Sequence, residues 1–271
     1  MSRAARINYA EAGQGPSADY LPLICLHGIG GDAESFRPQL DELSGNRRVI
    51  SWNMPGYGGS APLAETGFAQ LAAALGDFMD ALGIRRAHLC GQSIGGMLAQ
   101  EMAIRHPQRV ASLSLIATTA AFGGRDDSFK QRFLQARLAP LDGGASMPDL
   151  ARRFVPEIVG SAAAPAAIES ATRSMAAVPE ASYRAIMACL ITFNRRDDIA
   201  GIRQPACLIA GSEDQNAPAA SMRKMAERMP DARFHELNGA GHLLNLECPA
   251  RCNALIAEFL AETERKERTQ T

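Results

Sequence analysis

A serine between two glycines has the clearest chemical potential of any residue in this chain. Residues 91–96 read GQSIGG, directly after the apolar run 87–90 and directly before a stretch with helical spacing. A serine in the pattern G-x-S-x-G lies at a sharp turn from strand to helix, which leaves room only for small neighbours. The N–H groups at the start of that helix favour negative charge on a substrate oxygen. The pattern therefore predicts that Ser93 is a nucleophile.

A serine hydroxyl attacks at neutral pH only when a base takes its proton and a third group orients the base. Of the five histidines, His242 ends the glycine-rich segment NGAGH after the last predicted strand, and we expect it to be the base. Asp214 follows the predicted strand 206–209 and precedes His242, in the required chain order. The other position for such an acid, after 110–116, reads Ala-Thr-Thr. We expect Asp214 to orient His242; the alternative is a turn or helix-cap aspartate.

A second glycine-rich segment, HGIGG at 27–31, follows the predicted strand 21–26. A backbone with so many glycines can approach a substrate closely, so we expect the N–H groups of Ile29 and Ile94 to form an oxyanion hole. The alternative is a phosphate-binding loop, but no Gly-Lys-Ser/Thr follows and no acidic residue ends the next predicted strand. The remaining histidines are predicted to be structural: His27, His88, His106 and His235.

Composition narrows the class of partner. The chain has 271 residues, 46% of them hydrophobic, and a formal net charge of −1. This balance gives no electrostatic reason to expect nucleic acid or a membrane surface, so a small molecule is the expected partner. The segment 1–15 has no apolar signal-peptide core, which favours a cytoplasmic location with six reduced cysteines. No metal or organic cofactor is implied, and the sequence leaves room for a homo-oligomer.

Short apolar runs alternate with longer helical patterns, which predicts an α/β fold with a mostly parallel sheet flanked by helices. The predicted strands are 21–26, 48–52, 87–90, 110–116, 206–209 and 233–237, and the predicted helices are 66–82, 95–105, 218–228 and 249–262. The alternation stops between 121 and 202, where Ala-rich segments broken by prolines predict several short helices. We expect a core domain of 1–120 and 203–271 with a helical cap of 121–202 inserted over the sheet edge.

We expect residues of the predicted cap to determine substrate specificity. Its large apolar residues either line a pocket or pack between helices: Phe129, Phe133, Leu134, Leu138, Met147, Phe154, Met175, Met187 and Phe193. An arginine that reaches inward could bind a substrate carboxylate. The candidates are Arg132, Arg137, Arg152, Arg153, Arg173 and Arg184. At the other end of the chain, the charged segment ETERKERTQT predicts a frayed helix end.

Five motifs together resemble the α/β-hydrolase family over nearly the whole chain. In chain order they are HGIGG, SWNMPGYGGS, GQSIGG, GSEDQNAP and GAGHLLNLECP. The resemblance implies an α/β-hydrolase fold in which these segments are the oxyanion loop, a post-strand loop, the nucleophile elbow, the acid loop and the histidine loop. Within the family, the chain is most similar to 3-oxoadipate enol-lactonases and related small esterases.

Departures from the family pattern narrow the expected reaction. Asn53 stands where the post-strand loop usually begins with aspartate, and Gln92 and Leu243 replace the asparagine and aromatic residue common in carbon–carbon bond hydrolases. The resemblance thus implies a serine hydrolase of small carboxylic esters or lactones that forms an acyl-serine. The alternatives are carbon–carbon hydrolysis of a vinylogous diketone, cofactor-free perhydrolysis, and a ligand-binding protein without turnover.

Overall fold

A computed structural model describes residues 6–13, 20–123 and 127–270. The sequence prediction for segment 1–15 lies partly outside these ranges. Within them, seven strands form one sheet in the order β1-β3-β2-β4-β5-β6-β7. The strands are β1 (Tyr9–Ala12), β2 (Leu23–Leu26), β3 (Val49–Trp52), β4 (Ala87–Gln92), β5 (Val110–Ile116), β6 (Ala206–Gly211) and β7 (Ala232–Leu237).

Helices lie between most of these strands. Those in the described ranges are α1 (Arg37–Leu43), α2 (Phe68–Ala81), α3 (Ile94–Arg105), α4 (Asp127–Asp142), α5 (Met147–Ile158), α6 (Pro165–Ala176), α7 (Glu180–Leu190), α8 (Ala219–Arg228), α9 (Leu244–Glu247) and α10 (Pro249–Gln270). Pro249 begins α10, a position that suits proline because its missing N–H has no intrahelical acceptor there. No helix in the described part of the chain has the length and apolar character that a membrane crossing requires.

The sheet confirms the predicted α/β class with a mostly parallel sheet. Strands β2 to β7 pair in parallel with one another. The edge strand β1 pairs antiparallel with β3 and is missing from the sequence prediction. Because parallel strands point the same way, the segments after β2, β4 and β6 emerge at one edge of the sheet. The predicted nucleophile, acid and oxyanion segments follow these three strands.

Both faces of the sheet are buried along the inner strands, β2 to β6, and strand β2 shows which elements cover each face. Leu23 and Cys25 of β2 belong to one apolar cluster, with α1 and α10, whereas Ile24 and Leu26 belong to the other, with α2 and α3. All four side chains are fully buried. Successive residues of a strand point to opposite faces, so a strand covered on both sides is apolar throughout.

Four helices, α4 to α7, lie between β5 and β6, where the sequence predicts short helices. Their apolar residues share one hydrophobic cluster with β2, α2 and α3, and polar bonds add to this contact. The Ser174 hydroxyl donates to Asp32 at 3.1 Å, and the Ser182 hydroxyl donates to the Gly56 carbonyl at 2.8 Å. The division into a core and a cap at 121 and 202 stays a prediction.

The predicted frayed end at the C-terminus is wrong for the described residues. Helix α10 continues to Gln270, and Glu264 is only 4% exposed. Its carboxylate accepts two hydrogen bonds from Arg47, at 2.7 and 3.1 Å, and lies 3.3 Å from His88 Nε2. A buried carboxylate held by a buried arginine anchors the helix, and the charged composition of the segment conceals this contact.

Candidate active site

Ser93 lies at the turn between β4 and α3 in a strained backbone conformation. Its φ of 55° and ψ of −120° are unusual for a residue with a side chain. The turn requires glycine on both sides. A Cβ on Gly95 would lie 2.0 Å from the Leu26 carbonyl oxygen, and one on Gly91 would lie 2.3 Å from the Gly95 carbonyl oxygen. The corner thus brings the serine to the edge of the sheet, as the G-x-S-x-G pattern predicts.

His242 connects Ser93 to Asp214. Its Nε2 is 3.0 Å from the Ser93 hydroxyl oxygen, and its Nδ1 is 2.8 Å from Asp214 Oδ2. A carboxylate accepts hydrogen bonds, so the pairing with Asp214 assigns the ring proton to Nδ1 and leaves Nε2 to accept the serine proton. The structure therefore brings together the three side chains that sequence reasoning selects from distant segments.

Asp214 is held as a carboxylate. Its side chain is fully buried, and its Oδ1 accepts backbone N–H bonds from Asn216 at 2.8 Å and Ala217 at 3.0 Å. Burial raises the pKa of Asp214, but His242 and the two amide donors outweigh it, and the pKa lies below its ordinary value. The neighbouring Glu213 points elsewhere, as predicted, and binds the Ser161 hydroxyl at 2.7 Å.

His27 shapes the loop after β2. Its Nδ1 donates to the Gly28 carbonyl at 2.8 Å, and its Nε2 accepts the Met54 N–H at 2.9 Å. Burial lowers the pKa of His27 from 6.5 to about 4, although the Gly28 bond and Asp32 oppose this shift. The ring is therefore neutral and joins the HGIGG segment to the segment after β3.

The two residues predicted for the oxyanion hole, Ile29 and Ile94, differ in their exposure to the cavity. Ile29 lines the same cavity as Ser93, whereas Ile94 is buried as the first residue of α3. Because Ile94 begins the helix, its N–H precedes the first intrahelical hydrogen bond. The assignment of both N–H groups to an oxyanion hole stays a prediction.

A cavity of about 680 Å³ contains Ser93 and His242 in its wall. Helices α4 to α7 supply much of its apolar lining. Of the nine apolar residues predicted there, five line the cavity: Phe129, Phe133, Phe154, Met175 and Met187. The other four pack elsewhere; Phe193, for example, contacts Phe68 with ring centroids 4.6 Å apart. Within the described ranges, no group of three or more His, Cys, Asp or Glu residues is arranged to hold a metal ion.

Two further residues join the site segments, and sequence reasoning assigns neither this role. The Gln92 side-chain amide donates to the His242 carbonyl at 2.9 Å, and the Thr118 hydroxyl donates to the Ser93 carbonyl at 2.7 Å. Gln92 stands out in the sequence only as a departure from a family motif. Thr118 follows β5, in the segment considered for the acid. Pairing of Gln92 and Ile116 across β4 and β5 brings these segments together.

The parallel sheet and the Ser93–His242–Asp214 arrangement are typical of one protein family, and comparison with known proteins shows which family it is. The family model described as the alpha/beta hydrolase fold matches residues 22–249. The chain belongs to this family and is an α/β-hydrolase.

Three similar proteins show how varied the named activities of similar proteins are. The chain is 30% identical to a pimeloyl-[acyl-carrier protein] methyl ester esterase of Aromatoleum aromaticum, over 88% of this chain and 97% of that protein. It is also 30% identical to the dihydrolipoyllysine-residue acetyltransferase component of an acetoin cleaving system of Pseudomonas putida, over 88% of this chain but only 63% of that protein. The crystal structure of an enol-lactonase from Burkholderia xenovorans superimposes with a TM-score of 0.85, at 25% identity, covering 96% and 98% of the two chains.

Proposed function

We propose that the protein hydrolyses small carboxylic esters or lactones through an acyl-serine intermediate. One observation carries the proposal: His242 joins the Ser93 hydroxyl to the buried Asp214 carboxylate in a cavity large enough for a small molecule. The similarity to a methyl ester esterase and to an enol-lactonase supports the same reaction class.

In the first half of the proposed reaction, Ser93 attacks the substrate carbonyl carbon. His242 Nε2 takes the hydroxyl proton as the new C–O bond forms, and the carbonyl electron pair moves to its oxygen. Asp214 keeps the Nδ1 proton in place and stabilises the imidazolium. The N–H groups of Ile29 and Ile94 bind the oxyanion, and each such donor typically contributes about 2.7 to 4 kcal/mol.

The second half restores the enzyme. Collapse of the tetrahedral intermediate breaks the bond to the leaving alkoxide, which receives the proton from His242. Water then attacks the acyl carbon and loses its proton to the same nitrogen. The bond between that carbon and the Ser93 oxygen breaks, His242 returns the proton to the Ser93 oxygen, and the carboxylic acid leaves. In a lactone both products remain parts of one molecule, so the alcohol must move away from the acyl-serine before water attacks.

Hydrolysis of a p-nitrophenyl ester series by the wild type and Ser93→Ala tests the proposal. Removing the nucleophile should lower kcat by several orders of magnitude. Full activity in Ser93→Ala would overturn the acyl-serine route. Absence of hydrolysis in folded wild-type protein, combined with tight ligand binding, would favour the binding protein that the sequence leaves as an alternative.

A further inference from the structure

Arg137 differs from the other arginines on α4 to α7. Most of those form ion pairs with carboxylates: Arg152 with Asp149, Arg153 with Glu157, Arg173 with Glu169, and Arg184 with Asp142 and Glu180. Arg132 instead donates to the Ser128 hydroxyl at 2.8 Å. Arg137 lines the cavity that contains Ser93. In the part of the chain that the structure describes, it has no carboxylate partner.

Aromatic rings hold the Arg137 guanidinium in place. Its central carbon lies 4.4 Å from the Phe154 ring centroid and 5.2 Å from that of Phe133. A cation–π contact of this kind fixes the position of the group without consuming the N–H donors in its plane. The side chain is half-buried, and the two rings orient it while leaving it able to donate hydrogen bonds to a ligand.

The surrounding wall provides no counter-charge. Among the described residues, no aspartate or glutamate lines the cavity. Arg196, another cation of the wall, donates to the Gly123 carbonyl at 3.1 Å, and Arg228 lies 3.9 Å from Asp197. A cation in an apolar cavity is stabilised when an anion joins it, because burial without a partner is costly.

We propose that Arg137 binds a free carboxylate of the substrate, so that the preferred substrates are half-esters or lactones that carry an acid group. The planar guanidinium offers two parallel N–H groups, which match the two oxygens of a carboxylate. This inference rests on the proposed ester hydrolysis and adds the chemical class of the substrate.

Paired esters that differ by one charge test the inference. Monomethyl and dimethyl esters of the dicarboxylic acids from succinate to suberate are compared as substrates of the wild type, Arg137→Gln and Arg153→Gln. Arg153 is the matched control, since it also lies near the Phe154 ring, at 5.7 Å, but pairs with Glu157. Arg137→Gln should lower kcat/KM for the best half-ester roughly 10- to 100-fold and change the diester about threefold or less.

Equal losses on both esters, or an unchanged half-ester, would overturn the role of Arg137. Calorimetric binding of the half-ester to Ser93→Ala, with and without Arg137→Gln, measures the same contact without turnover. We expect Kd to rise by a similar factor in the double variant. Failure of the proposed hydrolysis would appear as absent Ser93-dependent turnover, whereas failure of the carboxylate site would appear as equal Kd values. Should Arg137→Gln not fold, Arg137→Lys should show a smaller loss confined to the half-ester.

A different set of contacts identifies a positioning residue beside His242. Glu247 is 7% exposed, and its carboxylate accepts three backbone hydrogen bonds. Gly241 and Leu243, on either side of His242, donate at 2.7 and 2.8 Å, and Gly160, after α5, donates at 2.8 Å. The sequence signal is a glutamate within the apolar stretch HLLNLECP.

We infer that Glu247 fixes the orientation of His242 and couples it to the segment between α5 and α6. The carboxylate has only acceptors, so it can satisfy all three donors at once. In Glu247→Gln one oxygen becomes an NH₂ group, which faces N–H donors and breaks at least one of these bonds. A small displacement of the histidine loop would lengthen the Ser93–His242 contact and slow proton transfer.

Steady-state kinetics per titrated active site test this role. Glu247→Gln should lower kcat about 10- to 100-fold with KM within about threefold, because ground-state binding is retained. Glu258→Gln, an exposed glutamate of α10, is the control and should match the wild type. A loss of thermal stability with unchanged kcat per site would assign Glu247 to folding alone and overturn the inference. Glu247→Asp, which keeps the charge, serves if the glutamine variant does not fold, and it should also lower kcat rather than raise KM.

Discussion

Burial of His27 should make the stability of the fold depend on pH between about 4 and 6.5. The folded protein lowers the pKa of this histidine from 6.5 to about 4, mainly by burial. As the pH falls below 6.5, the unfolded chain binds a proton that the folded protein excludes, so the stability present above pH 6.5 is progressively lost. Each pH unit in this window corresponds to about 1.4 kcal/mol, which gives about 3 kcal/mol in total.

Urea denaturation of the wild type and His27→Gln at pH values from 7 to 4 measures this effect. Glutamine retains an acceptor for the Met54 N–H but cannot be protonated, so the difference between the two curves isolates His27 from the carboxylates. At pH 7 the variant should be less stable than the wild type, because the substitution removes a well-packed imidazole ring. The wild type should then lose about 3 kcal/mol more than the variant on acidification to pH 4.

Parallel pH dependence of the two proteins would show that folding does not lower the pKa of His27. It would mean that the ring takes a proton equally well in the folded and unfolded states. The hydrogen bond from Met54 to Nε2 would then be absent in solution, and His27 would no longer be a neutral link between the loops after β2 and β3.

Three further changes probe other parts of the account. Asp214→Asn should lower kcat for ester hydrolysis about 10⁴-fold, because His242 loses the partner that orients its tautomer. The control Glu213→Gln should match the wild type. An equal loss of kcat in the two variants would contradict the role of Asp214. Gly95→Ala places a Cβ 2.0 Å from the Leu26 carbonyl oxygen and should lower the free energy of unfolding by about 1–3 kcal/mol or more. An unchanged thermal midpoint would show that the turn at Ser93 relaxes without cost. Glu264→Gln should lower the free energy of unfolding by about 3–5 kcal/mol in urea denaturation, because Arg47 is then buried without its anion. A decrease below about 1 kcal/mol would show that the ion pair contributes little to stability.

Much of the sheet could be predicted because its strands are apolar on both faces. The segment 110–116 is predicted with the bounds that β5 has: Gln108 and Arg109 precede it, and Ala117 separates it from two threonines. Strand β1 escapes prediction for the opposite reason. It is a four-residue edge strand, YAEA, whose side chains are exposed or half-buried, so no apolar pattern marks it.

The candidate site was predictable where chemistry restricts the residue type. A strained serine turn requires glycines, and a base must follow in a loop at the sheet edge, so Ser93, Asp214 and His242 stand out. Contacts between distant segments leave no such signal. The stretch HLLNLECP marks Glu247 but does not indicate its contact with Gly160, 87 positions away. The partner that buries Glu264 is Arg47, more than 200 positions away in the chain.

The most direct test of the central proposal is covalent labelling of the folded protein with an organophosphonate, followed by intact-mass and peptide mass spectrometry. We predict one adduct per chain, on Ser93, formed rapidly in the wild type and absent in Ser93→Ala. His242→Ala should slow the reaction by orders of magnitude, because the hydroxyl then lacks its base. Labelling at another residue, or folded wild-type protein that stays unlabelled, would contradict the proposed nucleophile.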